Sequence, residues 1–154
     1  MPRFRRTAWY VAYGEGWALY AESLGYEMGF YKDPYMRFGA LINEALRAAR
    51  LVVDTGLHTM GWTREQAIRY MVDNAGVNEA YATAEVDRYI VWPAQALGYK
   101  MGQLTILQLR ERAKTELGPK FNIKAFHDEV LDSGALPMDI LEQRVNDWIA
   151  AQKK

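Results

Sequence analysis

Cysteine is absent from the 154-residue sequence, and only two histidines are present, His58 and His127. The absence of cysteine excludes disulfide bonds and thiolate metal sites, although it does not identify a cellular compartment. Any metal site would have to be built from histidine, aspartate or glutamate side chains.

The sequence also lacks an excess of either charge and lacks a long apolar run. Lys+Arg and Asp+Glu each number 19, so no net field attracts the chain to nucleic acid or to an acidic membrane. No run approaches the roughly 20 apolar residues that a membrane helix needs. We therefore expect a soluble protein that binds no nucleic acid and has no membrane span. A cytoplasmic and a periplasmic location both remain open.

What is present is the composition of one ordinary globular domain. Half of the residues are hydrophobic and a quarter are charged. Apolar residues recur with helical spacing and do not alternate with the period of two that marks a strand. Residues 1–154 are therefore predicted to form a single all-α domain or fragment, with about seven helices in a bundle-like array.

Capping and turn signals predict where the helices begin and end. Asp33 followed by Pro34, the capping-box spacing of Thr63 and Gln66, and Asn78 and Asn122 all favour helix N-termini. The first helix contains several glycines, so packing rather than propensity must hold it. The predicted helices run from Thr7 to Tyr31, from Pro34 until Gly61, from Arg64 to Asn74, from Asn78 until Pro93, from Pro93 to Leu117, from Asn122 to Asp132, and onward from Pro137.

Five sequence blocks occur in a fixed order along the chain: EGWALYAE (15–22), RLVVDTGLH (50–58), GWTREQA (61–67), EVDRYIVWPAQALGYKMG (85–102) and FHDEVLDSGALP (126–137). Together they resemble the C-terminal region of the bacterial domain-of-unknown-function 885 family, over essentially the whole chain. Members of that family resemble helical zinc peptidases, with a His-Glu … Pro-Gly-His motif a few tens of residues before the EGW block. The resemblance implies the C-terminal part of a larger helical metallopeptidase-like fold.

The chain departs from that family pattern in two ways. It contains no His-Glu pair, and it has Ala94 where the resemblance implies glycine. The first departure removes the metal motif itself. We therefore expect zinc in a full-length parent, and neither zinc binding nor catalysis by this chain alone.

The resemblance makes Glu15 the third zinc ligand, beside the two histidines of the motif. Gly14 and Gly16 leave room around its carboxylate for a metal or another backbone. A solvent-facing glutamate at a flexible helix start is the structural alternative. Glu22 lies two turns further on and points the same way, either as support for the ligand or as a surface acid.

Arg50, Asp54 and His58 have i, i+4, i+8 spacing on the second helix. An aspartate that holds a histidine ring N–H is a common support around zinc, which makes Asp54 and His58 candidates for that role. The alternatives are an Arg50–Asp54 ion pair and a histidine favoured only by the helix dipole.

Peptide hydrolysis also requires a donor to the developing oxyanion and a cation for a substrate carboxylate. Tyr99 and Arg88 are the candidates for these roles, and His127 is a candidate neutral donor to substrate. The structural alternatives are a locally bonded tyrosine, an Arg88–Glu85 ion pair and a half-buried structural histidine. If the resemblance holds, Glu15 should lie near Tyr99 or His58.

Two functions remain open. The first is the C-terminal part of a zinc-dependent peptidase that acts on peptides, with carboxypeptidase activity as one form. The second is a non-catalytic helical module that binds a partner through its aromatic-rich first helix. The aromatic residues are distributed around that helix, and a helix apolar on more than one face needs additional cover. We therefore expect self-association through the N-terminal helix, as a symmetric dimer or by helix exchange.

Overall fold

Seven α-helices make up the computed structural model, which describes residues 3–153. Those residues contain no strand, so the all-α prediction is confirmed. The helices are α1 (Val11–Glu27), α2 (Pro34–Thr59), α3 (Arg64–Ala75), α4 (Glu79–Val91), α5 (Leu97–Leu117), α6 (Ile123–Leu131) and α7 (Met138–Lys153), with short 3-10 turns at Arg3–Arg6 and Gly118–Lys120.

Side-chain caps fix four of the N-termini where the sequence predicted them. Asp33, Asn78 and Asn122 each accept a hydrogen bond from a backbone N–H in the first turn of the following helix. Thr63 and Gln66 form both bonds of a capping box. These bonds satisfy backbone donors that a helix start would otherwise leave free.

Two of the predicted helices are shorter than expected. The first begins at Val11 instead of Thr7, and it ends at Glu27 because Gly29 turns the backbone into the left-handed region with φ 71°. The fifth begins at Leu97 instead of Pro93. Ala94 has a φ of 66°, which is incompatible with a continuous helix through that residue.

The buried side chains form two apolar cores. The α1–α5 core is built by α1, α5, α6 and α7 around Tyr20, Ile106 and Phe126. The α2–α4 core is built by α2, α3 and α4 around Val53, Met71 and Val86.

The crossing of α1 and α5 is close enough to require glycine on both helices. A Cβ on Gly102 would overlap the carbonyl oxygen of Ala12, and a Cβ on Gly16 would overlap the backbone of Gly102. The glycines that weaken α1 in isolation therefore allow it to pack tightly on α5.

The aromatic residues of α1 point mainly into the protein. Tyr13 and Tyr20 are buried, and Trp17 packs against the α1–α5 core. Trp9, just before the helix, and Tyr26, near its end, are exposed, and self-association through this helix stays a prediction. Exposed large apolar side chains are grouped in the α1–α2 turn, on the first half of α2 and around the end of α4. Among residues 3–153, no helix has both the length and the apolarity that crossing a bilayer requires.

Candidate functional site

The side chains of Glu15 and Tyr99 meet where α1 crosses α5. The Tyr99 hydroxyl donates a hydrogen bond to Glu15 Oε1 over 3.0 Å. Each residue lies close to a glycine of the crossing, Glu15 next to Gly16 and Tyr99 three residues before Gly102. The close backbone approach therefore brings a carboxylate and a phenol together, at the location that the sequence suggested for Glu15.

Arg50 of α2 packs against the Tyr99 ring and connects it to residues of α4. Its guanidinium carbon lies 4.7 Å from the centroid of the Tyr99 ring. Its Nε donates to the Tyr89 hydroxyl over 2.8 Å and its Nη2 donates to Glu85 Oε2 over 2.7 Å. Arg50 is only 6% exposed, so this positive charge is held in the interior. We call the connected set of Glu15, Arg50, Glu85, Arg88, Tyr89 and Tyr99 the Tyr99 network.

Glu85 is the electrostatic centre of this network. Its carboxylate accepts hydrogen bonds from Arg50, Arg88 and Tyr89. Burial opposes its ionisation, but these bonds outweigh burial and lower the pKa of Glu85 from 4.5 to about 2. Burial, followed by the bond to Glu85, raises the pKa of the Tyr89 hydroxyl well above its usual value. Glu85 is therefore ionised and Tyr89 neutral at physiological pH.

Arg88 is already paired in this structure. Its Nη2 lies 3.0 Å from Glu85 Oε2, and its Nη1 donates to Gln95 Oε1 over 2.6 Å. The i, i+3 pair with Glu85, which the sequence offered as the structural alternative, is confirmed. The Arg88 side chain is 31% exposed.

Asp54 and His58 do not bond to each other. The Asp54 oxygens accept from the Ala94 backbone N–H at 3.1 and 3.2 Å, and His58 Nε2 lies 3.0 Å from the carbonyl oxygen of Tyr89. The expected Asp54–His58 pair is therefore wrong, and so is the alternative Arg50–Asp54 pair, because Arg50 binds Glu85. Asp54 instead holds the left-handed turn at Ala94, the position where the resemblance implied glycine.

Glu22 lies at the exposed edge of the network. Its carboxylate pairs with Arg47 at 3.5 Å, and the Arg47 guanidinium carbon lies 5.9 Å from the centroid of the Tyr99 ring. The Glu22 side chain is 43% exposed, so this pair contributes little to stability. Glu22 behaves as a surface acid with an indirect connection to Tyr99.

His127 belongs to a second polar cluster. Its Nε2 lies 2.8 Å from the Tyr20 hydroxyl, which also accepts from Arg110 Nη1 at 3.3 Å. Arg110 donates to both oxygens of Glu27 at 2.7 Å. Burial, and after it the charge of Arg110, lowers the pKa of His127. We call Tyr20, Glu27, Arg110 and His127 the Arg110 cluster. Its bonds connect α1, α5 and α6, so the structure groups His127 with these residues rather than with Glu15 and Tyr99.

The central role of Glu85 and the participation of Tyr89, Tyr20, Glu27 and Arg110 were not predicted from the sequence. Glu85, Arg88 and Tyr89 have i, i+3, i+4 spacing, which places them on one helix face and could have identified the carboxylate that gathers the donors. Tyr20, Glu27 and Arg110 carry no such local signal, because their contacts join helices that are distant in sequence.

The donor atoms present do not form a zinc site by themselves. Across residues 3–153, no group of three histidine, aspartate or glutamate side chains is arranged to hold a metal ion. A catalytic zinc takes three protein ligands. Glu15 could supply one of them, and the others would have to come from outside the described residues.

Comparisons with known proteins place the chain in a family and within larger structures. The sequence pattern of the family described as "Bacterial protein of unknown function (DUF885)" matches residues 1–145. A crystal structure of "the putative lipoprotein from Colwellia psychrerythraea" is 55% identical, with a TM-score of 0.93 over 96% of this chain and 26% of that chain. A "putative lipoprotein of unknown function from Shewanella oneidensis" is 32% identical, with a TM-score of 0.80 over 86% of this chain and 24% of that one. Among curated proteins none matches. The chain thus spans about a quarter of the length of these solved relatives.

Proposed function

The chain belongs to the bacterial DUF885 family, and from that membership we propose that it supplies part of the active site of a zinc-dependent peptidase. The rest of that site would belong to a protein of the length of the solved relatives. The observation that carries the proposal is the 3.0 Å hydrogen bond between the Tyr99 hydroxyl and the Glu15 carboxylate at the glycine crossing. Peptides are the proposed substrates, and a carboxypeptidase is the narrower form.

In this proposal Glu15 is the carboxylate that the chain offers to the metal. Its neighbour Tyr99 holds it in one orientation, and Arg50 packs on the Tyr99 ring from the side of α2. The described residues do not fit zinc alone, so no metal-dependent step is assigned to them.

Tyr99 and Arg88 are the proposed contacts to substrate. A tyrosine hydroxyl has one proton, so when a peptide is bound the Tyr99 O–H would leave Glu15 and donate to the oxygen of the scissile carbonyl, where negative charge develops. The Arg88 side chain is 31% exposed, and its guanidinium is proposed to bind a terminal carboxylate, with Glu85 fixing its orientation. Because His127 is bonded to Tyr20 in the Arg110 cluster, its proposed contact with substrate has the weaker support.

A non-catalytic helical binding module is the second candidate function. The exposed apolar side chains of the α1–α2 turn and of α2 favour it. Such a module would need neither Glu15 nor Tyr99 for binding.

A chimera can separate the two functions. This chain would replace the matched quarter of the Colwellia relative, with folding verified by circular dichroism against the unmodified relative. We expect the chimera to bind zinc and to hydrolyse a panel of peptides. Glu15→Gln should reduce bound zinc and lower kcat/KM at least about 100-fold, and Tyr99→Phe should lower kcat about 10–100-fold with zinc retained.

Glu22→Gln is the matched control, because it changes an exposed acid on the same helix. It should leave both zinc content and activity unchanged. A folded chimera without zinc or peptidase activity would contradict the proposal, as would a Glu15→Gln variant that keeps both.

A further inference from the structure

The first half of α2 carries four exposed large apolar side chains, and three of them share one side, with Met36 lying outside it. Tyr35 is 87% exposed, Phe38 62% and Leu41 56%. Their spacing of three residues places them on one face of the helix, and Val52 extends this face toward the C-terminal half. We call Tyr35, Phe38, Leu41 and Val52 the outer face of α2. The side chains that bury α2 against its own core begin further along the helix, at Leu46.

Gly39, in the same half of α2, provides a second and independent observation. A glycine inside a helix costs about 1 kcal/mol relative to alanine. A Cβ on Gly39 would meet no atom of this chain within 4 Å. Gly39 follows Tyr35 by one turn, so it lies beside the outer face.

The other glycines inside helices have a visible reason to be glycine. A Cβ on Gly56 would lie 2.5 Å from the Trp62 ring, and one on Gly98 would lie 2.5 Å from a methyl group of Val11. At the α1–α5 crossing, a Cβ on Gly102 would overlap Ala12. By the same physical logic, Gly39 suits the close approach of a backbone that the described residues do not include.

We propose that the outer face of α2, with Gly39, is the docking surface for an apolar helix from the other three quarters of a family-length protein. The Colwellia relative contains 96% of this chain with a TM-score of 0.93, within a polypeptide of which the match is only 26%. The same α2 is therefore present in a molecule with roughly three times as much additional chain to cover it. This inference is independent of the proposed peptidase activity, since it depends on neither Glu15 nor zinc.

A second copy of this chain is the competing occupant, although the self-association expected from the sequence was assigned to the N-terminal helix and not to α2. Two copies related by a twofold axis would bring the same patches together. A longer polypeptide is the occupant that we propose, because in both solved relatives the region that matches this chain is part of a polypeptide about four times as long.

Gly39→Ala gives the sharpest test, because the proposal predicts opposite signs in two molecules. In the isolated chain the added Cβ meets open space, so the Tm should rise by about 2–4 °C from helix propensity. In the chimera with the Colwellia relative the same Cβ should meet the docked helix, so the Tm should fall. Thr115→Ala, at an exposed position of α5, is the matched control and should raise the Tm of both.

Hydroxyl-radical footprinting of Tyr35 supplies the second measurement. Tyr35 should react at the same rate in the isolated chain at low and high concentration, and at least about tenfold more slowly in the chimera. Tyr81, 42% exposed on α4, is the reference within the same molecule.

Equal Tyr35 reactivity in both proteins would overturn the proposal, and so would a Gly39→Ala variant that stabilises both. Protection of Tyr35 in the isolated chain at high concentration would assign the face to a second copy, and a chimera without a cooperative unfolding transition would also count against docking.

Discussion

The Tyr99 network and the Arg110 cluster share an arginine–glutamate–tyrosine arrangement and differ in how deeply the paired carboxylate is buried. In each, an arginine pairs with a glutamate and bonds to a tyrosine hydroxyl. The Glu85 side chain is 17% exposed, whereas that of Glu27 is 55% exposed. An exposed partner regains water when its pair is broken, but a buried partner cannot. We therefore expect the burial of the carboxylate, more than the number of hydrogen bonds, to determine what each cluster contributes to stability.

Removing the buried arginine should have the largest effect. Arg50→Met leaves the Glu85 charge with fewer donors in the interior, which typically costs about 3–5 kcal/mol. The matched variant Arg110→Met frees the exposed Glu27 carboxylate to hydrate, and we expect a loss of about 1–2 kcal/mol. Urea unfolding of both variants measures the difference. Equal losses would show that carboxylate depth does not separate the two clusters.

The pH dependence of stability in acid should also distinguish the buried Glu85 from the exposed Glu27. Its pKa of about 2 in the folded protein lies below its unfolded value of 4.5. This difference contributes on the order of 3 kcal/mol, which is fully present above pH 4.5 and is lost as the pH falls toward 2. Glu85→Gln should therefore flatten the dependence of the unfolding free energy on pH in this range.

Glu27→Gln is the control for the acid experiment. The hydrogen bond from Arg110 lowers the pKa of Glu27 as well, but this carboxyl is mostly exposed and its contribution is screened by solvent. A slope that survives in Glu85→Gln and disappears in Glu27→Gln would reverse the comparison.

His127 should give the Arg110 cluster its own, weaker pH dependence. Burial, and after it Arg110, lowers the pKa of His127 below 6.5, while Asp128 and Glu27 act in the opposite direction. A histidine with a lowered folded pKa stabilises the protein fully above pH 6.5, and that contribution is lost as the pH falls further. His127→Gln should reduce the fall in Tm between pH 7 and pH 5. An unchanged slope would remove His127 as its source.

The smallest expected effect concerns the turn beside the Tyr99 network. Ala94 adopts a left-handed conformation with φ 66°, which glycine tolerates better. Ala94→Gly should stabilise the protein by about 0.5–1 kcal/mol, after the greater entropy loss of glycine is included. Differential scanning calorimetry can measure this change. Destabilisation would mean that the hydrogen bonds that the backbone N–H of residue 94 donates to Asp54 do not survive the substitution.

The sequence predicted what depends on neighbouring residues. The caps at Asp33, Thr63, Asn78 and Asn122 bond within the next turn, so residue type and spacing were sufficient. The partners of buried charges were not predictable in this way. Arg50 lies four residues before Asp54 but pairs with Glu85, 35 positions away on another helix.

The candidate site was predicted in part, for the same reason. The family resemblance suggested that Glu15 would lie near Tyr99 or His58, which no local pattern could do, and the structure places it at Tyr99. The left-handed turn at Ala94 moved the start of α5 by four residues, and the sequence signal there pointed to Pro93 instead.

The packing of α1 against α5 also imposes an order on folding during synthesis. Glu15 and Tyr99 are in contact but lie 84 positions apart in sequence. Contacts between residues that are far apart in sequence form slowly. Translation proceeds from the N-terminus and adds only about 5–20 residues per second. While α5 is still being made, Tyr13 and Tyr20 of α1 lack the helix that covers them. The apolar side chains of α1 therefore stay without their packing partner until α5 has been synthesised.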